Sequence, residues 1–299
     1  MNSFHGKEIG ETKFSDITKF LDNIDDIPTL PIIVQNLLNK TNDPHFDIKQ
    51  ITSLIAKDPS ITAKILRIAN SAFYSGASEI DTVEKAVMRL GIRQIRNIIL
   101  GISVIQSFKP VDEFINSVQS IWRHSIGVAF TNKVIGDIYK LEDVEELWVC
   151  GILHDIGKIL YISYFPELFS YILREARQKD ISFYSAEQEL FKFNHSDIGG
   201  WLADRWHLPH KVRNVIFHHH NPPANDKVLT DCTNHVAITN VSNSIVKLVG
   251  VGNIDRTVTE IHSNVWNFLD KSKIENNNMF DKLKGLKNEV DDLFNIVIS

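Results

Sequence analysis

The chain has 299 residues, 43% of them apolar and 23% charged, the ordinary balance of a protein that buries a core of its own. A formal net charge of -5 and a pI near 6.2 exclude the basic balance of a protein that wraps nucleic acid, so nucleic acid is not an expected partner. Cys150 and Cys232 provide no disulfide framework, and a reduced, cytoplasmic setting is the expectation. The longest apolar run, Ile98 to Ile105, falls far short of the roughly 20 residues of a membrane span, and Met1 to Glu8 lacks the apolar core of a secretory signal, so neither membrane insertion nor secretion is expected.

Residues 1–14 are polar and expected to be flexible, after which Ser15 can cap a short helix through Phe20 and Leu21. Pro31 suits the first position of a helix over Ile32 to Leu38, and Asp47 suits the cap of the next, with Ile48, Ile51, Leu54 and Ile55 on one stripe. Asp58-Pro59 restarts the pattern with Ile61, Ile65, Ile68 and Ala69 inward, up to a break at Ser75-Gly76. Asp81 and Glu84 have capping-box spacing ahead of Val83, Ala86, Val87 and Leu90, Gly91 stops that helix, and another runs from Ile92 to Phe108. With Arg89, Arg93 and Arg96 nearby, this pair could dock on nucleic-acid phosphates as a helix-turn-helix. Such hairpins are far more often plain packing units, which is the reading adopted. Pro110 makes residues 109–116 the candidate boundary between the two halves.

The second half carries the histidines. Leu147, Trp148, Val149, Ile152, Ile156, Ile159 and Leu160 surround His154-Asp155 with apolar side chains at helical spacing, which predicts one buried helix bearing an adjacent histidine and aspartate. Burying that pair is costly unless a hydrogen bond, an ion pair or a metal ion satisfies it. His124, between Ile121 and Val128, faces inward, and Cys150, one turn before His154, is read as packing. His195 leads the stripe Ile198, Gly199, Leu202 and Trp206, with Ser185 and Gln188 as a capping box that would start this helix. Among His218, His219 and His220, only the last two share a stripe with Val212, Val215 and Ile216, and Asn221-Pro222-Pro223 ends that helix. Singly, each is more often a paired core histidine than a ligand. Together, His124, His154, Asp155, His195, His219 and His220 make a nitrogen and oxygen set suited to iron, zinc or manganese.

Downstream, Ile245, Val246, Leu248 and Val249 lead to Gly250 and Gly252, and two further helices are expected, Thr257 to Leu269 and Met279 to Phe294, linked by Asn276-Asn277-Asn278. Neither strand alternation nor a fixed repeat is present, so the fold class is all-α.

His124, His154-Asp155 with Gly157 and Lys158, His195 and His219-His220 resemble the metal-site signature of the HD superfamily of phosphohydrolases, in the order used by the HD-GYP phosphodiesterases. Two departures stand out. Asn240 aligns with the final aspartate of that pattern, and Asn221-Pro222-Pro223-Ala224 replaces its Gly-Tyr-Pro element.

Ile27-Pro28-Thr29-Leu30-Pro31, the run Asp58 to Ala72, Ala86-Val87-Met88-Arg89-Leu90-Gly91 and Trp206-His207-Leu208-Pro209 more closely resemble the HDOD domain. That resemblance implies a multi-helix unit over 15–299, with an N-terminal lobe (15–108) packed on an HD-like lobe (117–250) and C-terminal helices (251–299). It further implies a bacterial signal-transduction module acting mainly through a signalling protein partner, with a partial HD-type metal site. The alternative it leaves is a metal-dependent phosphohydrolase of phosphodiesters or nucleotides, in which Lys158 counters phosphate charge.

Overall fold

In the computed structural model, residues 21, 24, 27–40, 48–71, 73–74, 78–108, 112–225, 229, 231–254 and 261–298 are described. The expectations placed on residues 1–14, Ser15, Asp47, Ser75-Gly76, Pro110 and Thr257 lie outside them. The described residues form α-helices and short 3-10 turns and no strand, so the fold is all-α.

The first half runs through α1 (Ile32–Lys40), α2 (Ile48–Ile55), α3 (Pro59–Ala69), α4 (Val83–Leu90) and α5 (Ile92–Ser107). Asp58 caps α3, accepting from the Ile61 amide at 3.0 Å with Pro59 in the first turn. Pro31 sits just outside α1, its carbonyl accepting from the Val34 and Gln35 amides. The cap of α4 is Thr82, whose side chain accepts from the Lys85 amide, while Asp81 instead forms an exposed ion pair with Lys85. Between α4 and α5, Gly91 takes φ +81°, a left-handed value that admits glycine readily. Arg89 donates to Ser78 and Arg96 is buried 3.8 Å from Glu146, so this hairpin is a packing unit.

The second half contains α6 (Ile115–Tyr139), α7 (Val144–Leu153), α8 (Ile156–Tyr164), α9 (Pro166–Lys179), α10 (Phe183–Leu190), α11 (His195–Arg205), α12 (His210–His218) and α13 (Thr233–Leu248). The end of the chain departs from expectation. In the described part of the first expected helix, 261–269, there is a 3-10 turn (Ser263–Asn267), a helix not expected, α14 (Lys271–Asn276), follows it, and the second expected helix is divided into α15 (Met279–Lys282) and α16 (Leu286–Ile298). The break before α16 falls at Gly285, whose φ of +88° is incompatible with a continuing helix. Among the described residues, no helix is long and apolar enough to cross a membrane.

Close helix approach sets the frame. α7 packs on α6 so tightly that a Cβ on Gly151 would lie 2.4 Å from the Ala129 Cα, and α8 packs on α11 so that a Cβ on Gly157 would lie 1.9 Å from the His195 carbonyl oxygen. The buried apolar side chains of both halves belong to one continuous core. α16 crosses the halves: Arg123 on α6 donates to Asp291 at 2.8 Å and stacks over Phe294, and the buried Lys64 on α3 donates to the Val297 carbonyl at 2.6 Å.

Gly157→Ala should therefore cost about 3 kcal/mol, the upper end of overpacking penalties. Gly91→Ala, which meets no atom within 4 Å, should cost less, about 1 to 2 kcal/mol of backbone strain at φ +81° and ψ 156°. Urea unfolding of both variants checks the ordering, and equal losses would contradict it.

Candidate metal centre

The predicted single helix through His154-Asp155 is broken at that pair. α7 ends at Leu153, His154 keeps helical angles, and Asp155 at φ -100°, ψ 15° turns the chain into α8. Asp155's backbone carbonyl accepts from the Lys158 amide at 2.9 Å, while its carboxylate makes no cap bond and is left to the histidines.

His154 donates from Nδ1 to the Gly151 carbonyl at 2.7 Å, and His219 from Nδ1 to the Ile216 carbonyl at 2.9 Å. A carbonyl only accepts, so each proton sits on Nδ1, and a neutral ring then presents a lone pair at Nε2. Those two Nε2 atoms point at one carboxylate, His154 3.4 Å from Asp155 Oδ2 and His219 3.6 Å from Oδ1. Both nitrogens and Asp155 Oδ1 are buried with no hydrogen-bond partner. Electron pairs facing one another out of water are unfavourable unless a cation or proton lies between them.

His195 is held by a residue that the sequence reading missed. The wholly buried Glu187 on α10 accepts from the His195 amide at 2.6 Å and from its Nδ1 at 2.5 Å, leaving Nε2 3.1 Å from Asp155 Oδ1 and 3.1 Å from His220 Nε2. A carboxylate on the far nitrogen of a histidine is the usual support of a metal-ligating imidazole. Ser185 and Gln188 do not start this helix: Ser182 caps α10, and Asn194 with Asp197 forms the capping box of α11, placing His195 at its first residue. Asn194 and Asp197 have the box spacing, so this start was legible.

His220 stacks on Tyr184, with centroids 4.2 Å apart and planes at 14°. His124 Nε2 lies 2.9 Å from Asn243 Oδ1, and its ring is 5.4 Å from that of His154. Asn240 stands outside the cluster proper. Its amide donates to the His219 carbonyl at 2.7 Å and accepts from the His262 amide at 3.1 Å, a bracket between two backbone segments. Lys158 is buried, donating to Asp155 Oδ2 at 2.8 Å.

Asp155 thus belongs to two overlapping groups, one with His195, His219 and His220 and one with His124 and His154, within each of which the donor atoms lie within 4.8 Å of one another. Neutral imidazoles around a carboxylate, with no thiolate, could hold iron, manganese or zinc. A third grouping, Asp143, Glu146 and His235, encloses the Lys211 ammonium, which already supplies its cation. Beside His220, a cavity of about 810 Å³ runs under α13.

Charge states follow the surroundings. Burial pushes His124 and His219 down to about 3, with neighbouring histidines adding to it, and takes His220 well below its usual value. Burial also opposes the charged forms of Asp155 and His195. The Lys158 ammonium nevertheless holds Asp155 well below the carboxylate range, and Glu187 and Asp155 raise His195.

The HDOD domain model matches residues 27–222. The chain belongs to the HDOD domain family. A crystal structure of an HDOD domain protein of unknown function from Geobacter sulfurreducens is 25% identical, with 95% of this chain and 98% of that one covered at a TM-score of 0.77. A signal transduction protein candidate from Marinobacter aquaeolei VT8 (18% identical, 91% and 60% covered, TM-score 0.72) shares the fold. So does a metal-dependent phosphohydrolase candidate from Shewanella amazonensis SB2B (19%, 92% and 96%, 0.63). An uncharacterized protein of Treponema pallidum (strain Nichols) is 26% identical over 206 residues, 68% of this chain and 39% of that protein. The HDOD chain therefore spans about two fifths of the length of this curated relative.

Histidines buried neutral make metal-free stability depend on acid. Below about pH 6.5 the unfolded chain protonates positions 124 and 219, whereas the folded protein does not until about pH 3. Stability should fall with decreasing pH across that window, by up to roughly 1.4 kcal/mol per unit for each. His195, protonated in both states there, does not oppose the loss. Chemical denaturation from pH 7 to 4 checks it, and a flat profile would contradict these charge states.

Proposed function

We propose that this HDOD protein is a regulatory module whose His124, His154, Asp155, His195, His219 and His220 hold a divalent transition metal ion, and whose first-half surface serves a signalling protein partner. The lobe division at 15–108, 117–250 and 251–299 is part of the same proposal. The observation that carries the metal reading is the pair of unpartnered Nε2 atoms of His154 and His219 converging on Asp155. A polar core stabilised only by internal pairing would place donors there.

The signalling half of the proposal rests on family membership and on the Marinobacter likeness in fold. α16 offers a physical link: it is pinned to α6, which carries His124, and to α3 in the first half. An ion that tightens α6 around the centre stabilises the native arrangement of both.

A phosphohydrolase is the second reading, favoured by the cavity that opens at His220. A divalent ion would supply Lewis acidity toward a phosphoryl oxygen. Lys158 keeps Asp155 ionised, Glu187 fixes the His195 ring, and Tyr184 fixes that of His220. Asn240 and Asn243 contribute neutral amides only, so hydrolysis of cyclic dinucleotides should stay below about 1 per second, a rate ordinary for enzymes.

Elemental analysis of the purified protein should find iron, manganese or zinc, and added metal should raise the melting temperature, because a ligand of the native state alone stabilises it. His154→Ala should abolish both effects. Absence of metal with an unchanged melting temperature would reject the metal reading.

Of the asparagines, Asn243→Asp should tighten metal binding, since it puts a charge 2.9 Å from His124 Nε2. Nearby opposite charges are worth roughly 4 kcal/mol at an effective dielectric near 20, and desolvation cancels part, leaving about tenfold to a hundredfold. Asn240→Asp should instead cost about 1 to 3 kcal/mol, because it sets a carboxylate against the His219 carbonyl. Metal titration and melts of both variants check the contrast, and tightening by Asn240→Asp alone would reverse the assignment.

A further inference from the structure

A second cluster of cation-seeking side chains lies at the other end of helices that build the Asp155 centre. α7, α12 and α13 pack on one another. Toward their C-terminal ends they carry His154, His219 and Asn243, whereas their starts carry Asp143 with Glu146, Lys211 and His235. α7 runs ten residues between Asp143 and His154, which sets the two clusters roughly 15 Å apart at about 1.5 Å per residue.

The Lys211 ammonium supplies a cation to Asp143 but no partner to His235. It donates to Asp143 Oδ2, and stands 3.7 Å from Glu146 Oε2 and 4.0 Å from Asp231 Oδ2, both beyond hydrogen-bond length. His235 is 2% exposed, its Nε2 lies 3.5 Å from Asp143 Oδ1, and neither ring nitrogen has a hydrogen-bond partner. A neutral imidazole carries one N–H and one lone pair, and leaving both unmet in the interior is costly. Protonation does not resolve this, because burial takes His235 below its usual value and the nearby Lys211 charge adds to the effect. Asp143 is turned the same way. It stands at the N-cap of α7, yet its carboxylate makes no cap bond and faces Lys211 and His235 instead.

A divalent transition ion meets what an ammonium here does not, since it accepts lone pairs from an imidazole and from carboxylates together. One donor atom from each of Asp143, Glu146 and His235 lies within 4.8 Å of the others. Donors on a tetrahedral zinc with bonds near 2.1 Å are roughly 3.4 Å apart, so a modest contraction of the three side chains suffices.

We propose that Asp143, Glu146 and His235 form a second divalent transition-metal site, independent of the Asp155 centre, in which Lys211 and the ion are alternative occupants. The ion displaces the ammonium toward the exposed Asp231 and ties the start of α7 to that of α13. Because an ion pair must be displaced, this site fills only at zinc concentrations above those that load the Asp155 centre, and protein purified without added metal carries no ion there.

The test is a zinc titration of the ¹⁵N-histidine-labelled full chain, followed at the ring nitrogens, with His235 assigned from His235→Gln. In the wild type, His154 and His219 should respond first and His235 Nε2 in a second transition, complete by about 1 mM zinc. Lys211→Met should move that second transition to at least tenfold lower zinc. Asp143→Asn should remove it and leave the first response in place. Without metal, Lys211→Met should melt below the wild type, and the gap should close in zinc, because an ion bound only to the native state stabilises it. A purely structural ion pair, once lost, would not be restored in this way.

A silent His235 in both the wild type and Lys211→Met would overturn the proposal, as would a His235 response that survives Asp143→Asn. Should Lys211→Met fail to fold, silence of His235 in the wild type alone decides against it. Responses at His154 and His219 with His235 silent would sink this site and leave the Asp155 centre standing. A His235 response with His154 and His219 silent would keep this site and remove the metal reading of Asp155.

Discussion

One buried carboxylate constrains the second half of this molecule. Asp155 meets Lys158 and His154 through Oδ2, and His195 and His219 through Oδ1. A charge this far from water is tolerable only if its surroundings are fixed to within tenths of an ångström, because the Coulomb gain that offsets desolvation falls quickly with distance. The helix packing supplies that rigidity. Gly151 lets α7 lie against α6, and Gly157 lets α8 lie against the start of α11, so His124, Asp155 and His195 are brought together by helices that touch backbone to backbone.

The supporting shell follows the same logic. Backbone carbonyls one turn back take the Nδ1 protons of His154 and His219, and Glu187 takes that of His195. These bonds orient three rings toward a common point, and for His154 and His219 they settle which nitrogen faces it. Only then does the ligand set acquire chemical meaning, since an imidazole offering its N–H to the centre would hold the carboxylate but no metal ion.

Much of this was legible in the sequence. Apolar periodicity located the inward histidines and kept His218 off their stripe, and His218 is indeed absent from the groupings that could hold a metal. Three features were not legible, each for a physical reason. The break at His154-Asp155 was hidden because apolar residues continue on both sides at helical spacing, while a change of direction at one aspartate leaves no compositional trace. Glu187 looked like a surface residue of a polar segment, since glutamate is rarely buried, and only tertiary contact shows that it grips His195. Asn240 holds the position where the family pattern ends, yet its amide brackets backbone, and Asn243, one turn on, reaches His124. Linear order names the helix face, whereas the side chain that touches the cluster depends on how α13 is rotated against α6.

The most direct test of the account is the protonation pattern of the imidazoles, read by long-range proton–nitrogen correlation spectra of the ¹⁵N-histidine-labelled protein. In the metal-free state, His154 and His219 should appear as neutral rings protonated at Nδ1. Zinc addition should shift their Nε2 resonances while leaving those of the exposed His210 in place. Finding Nε2–H on both rings, with no response to zinc, would mean that protons rather than a metal ion satisfy Asp155, and would contradict the central claim.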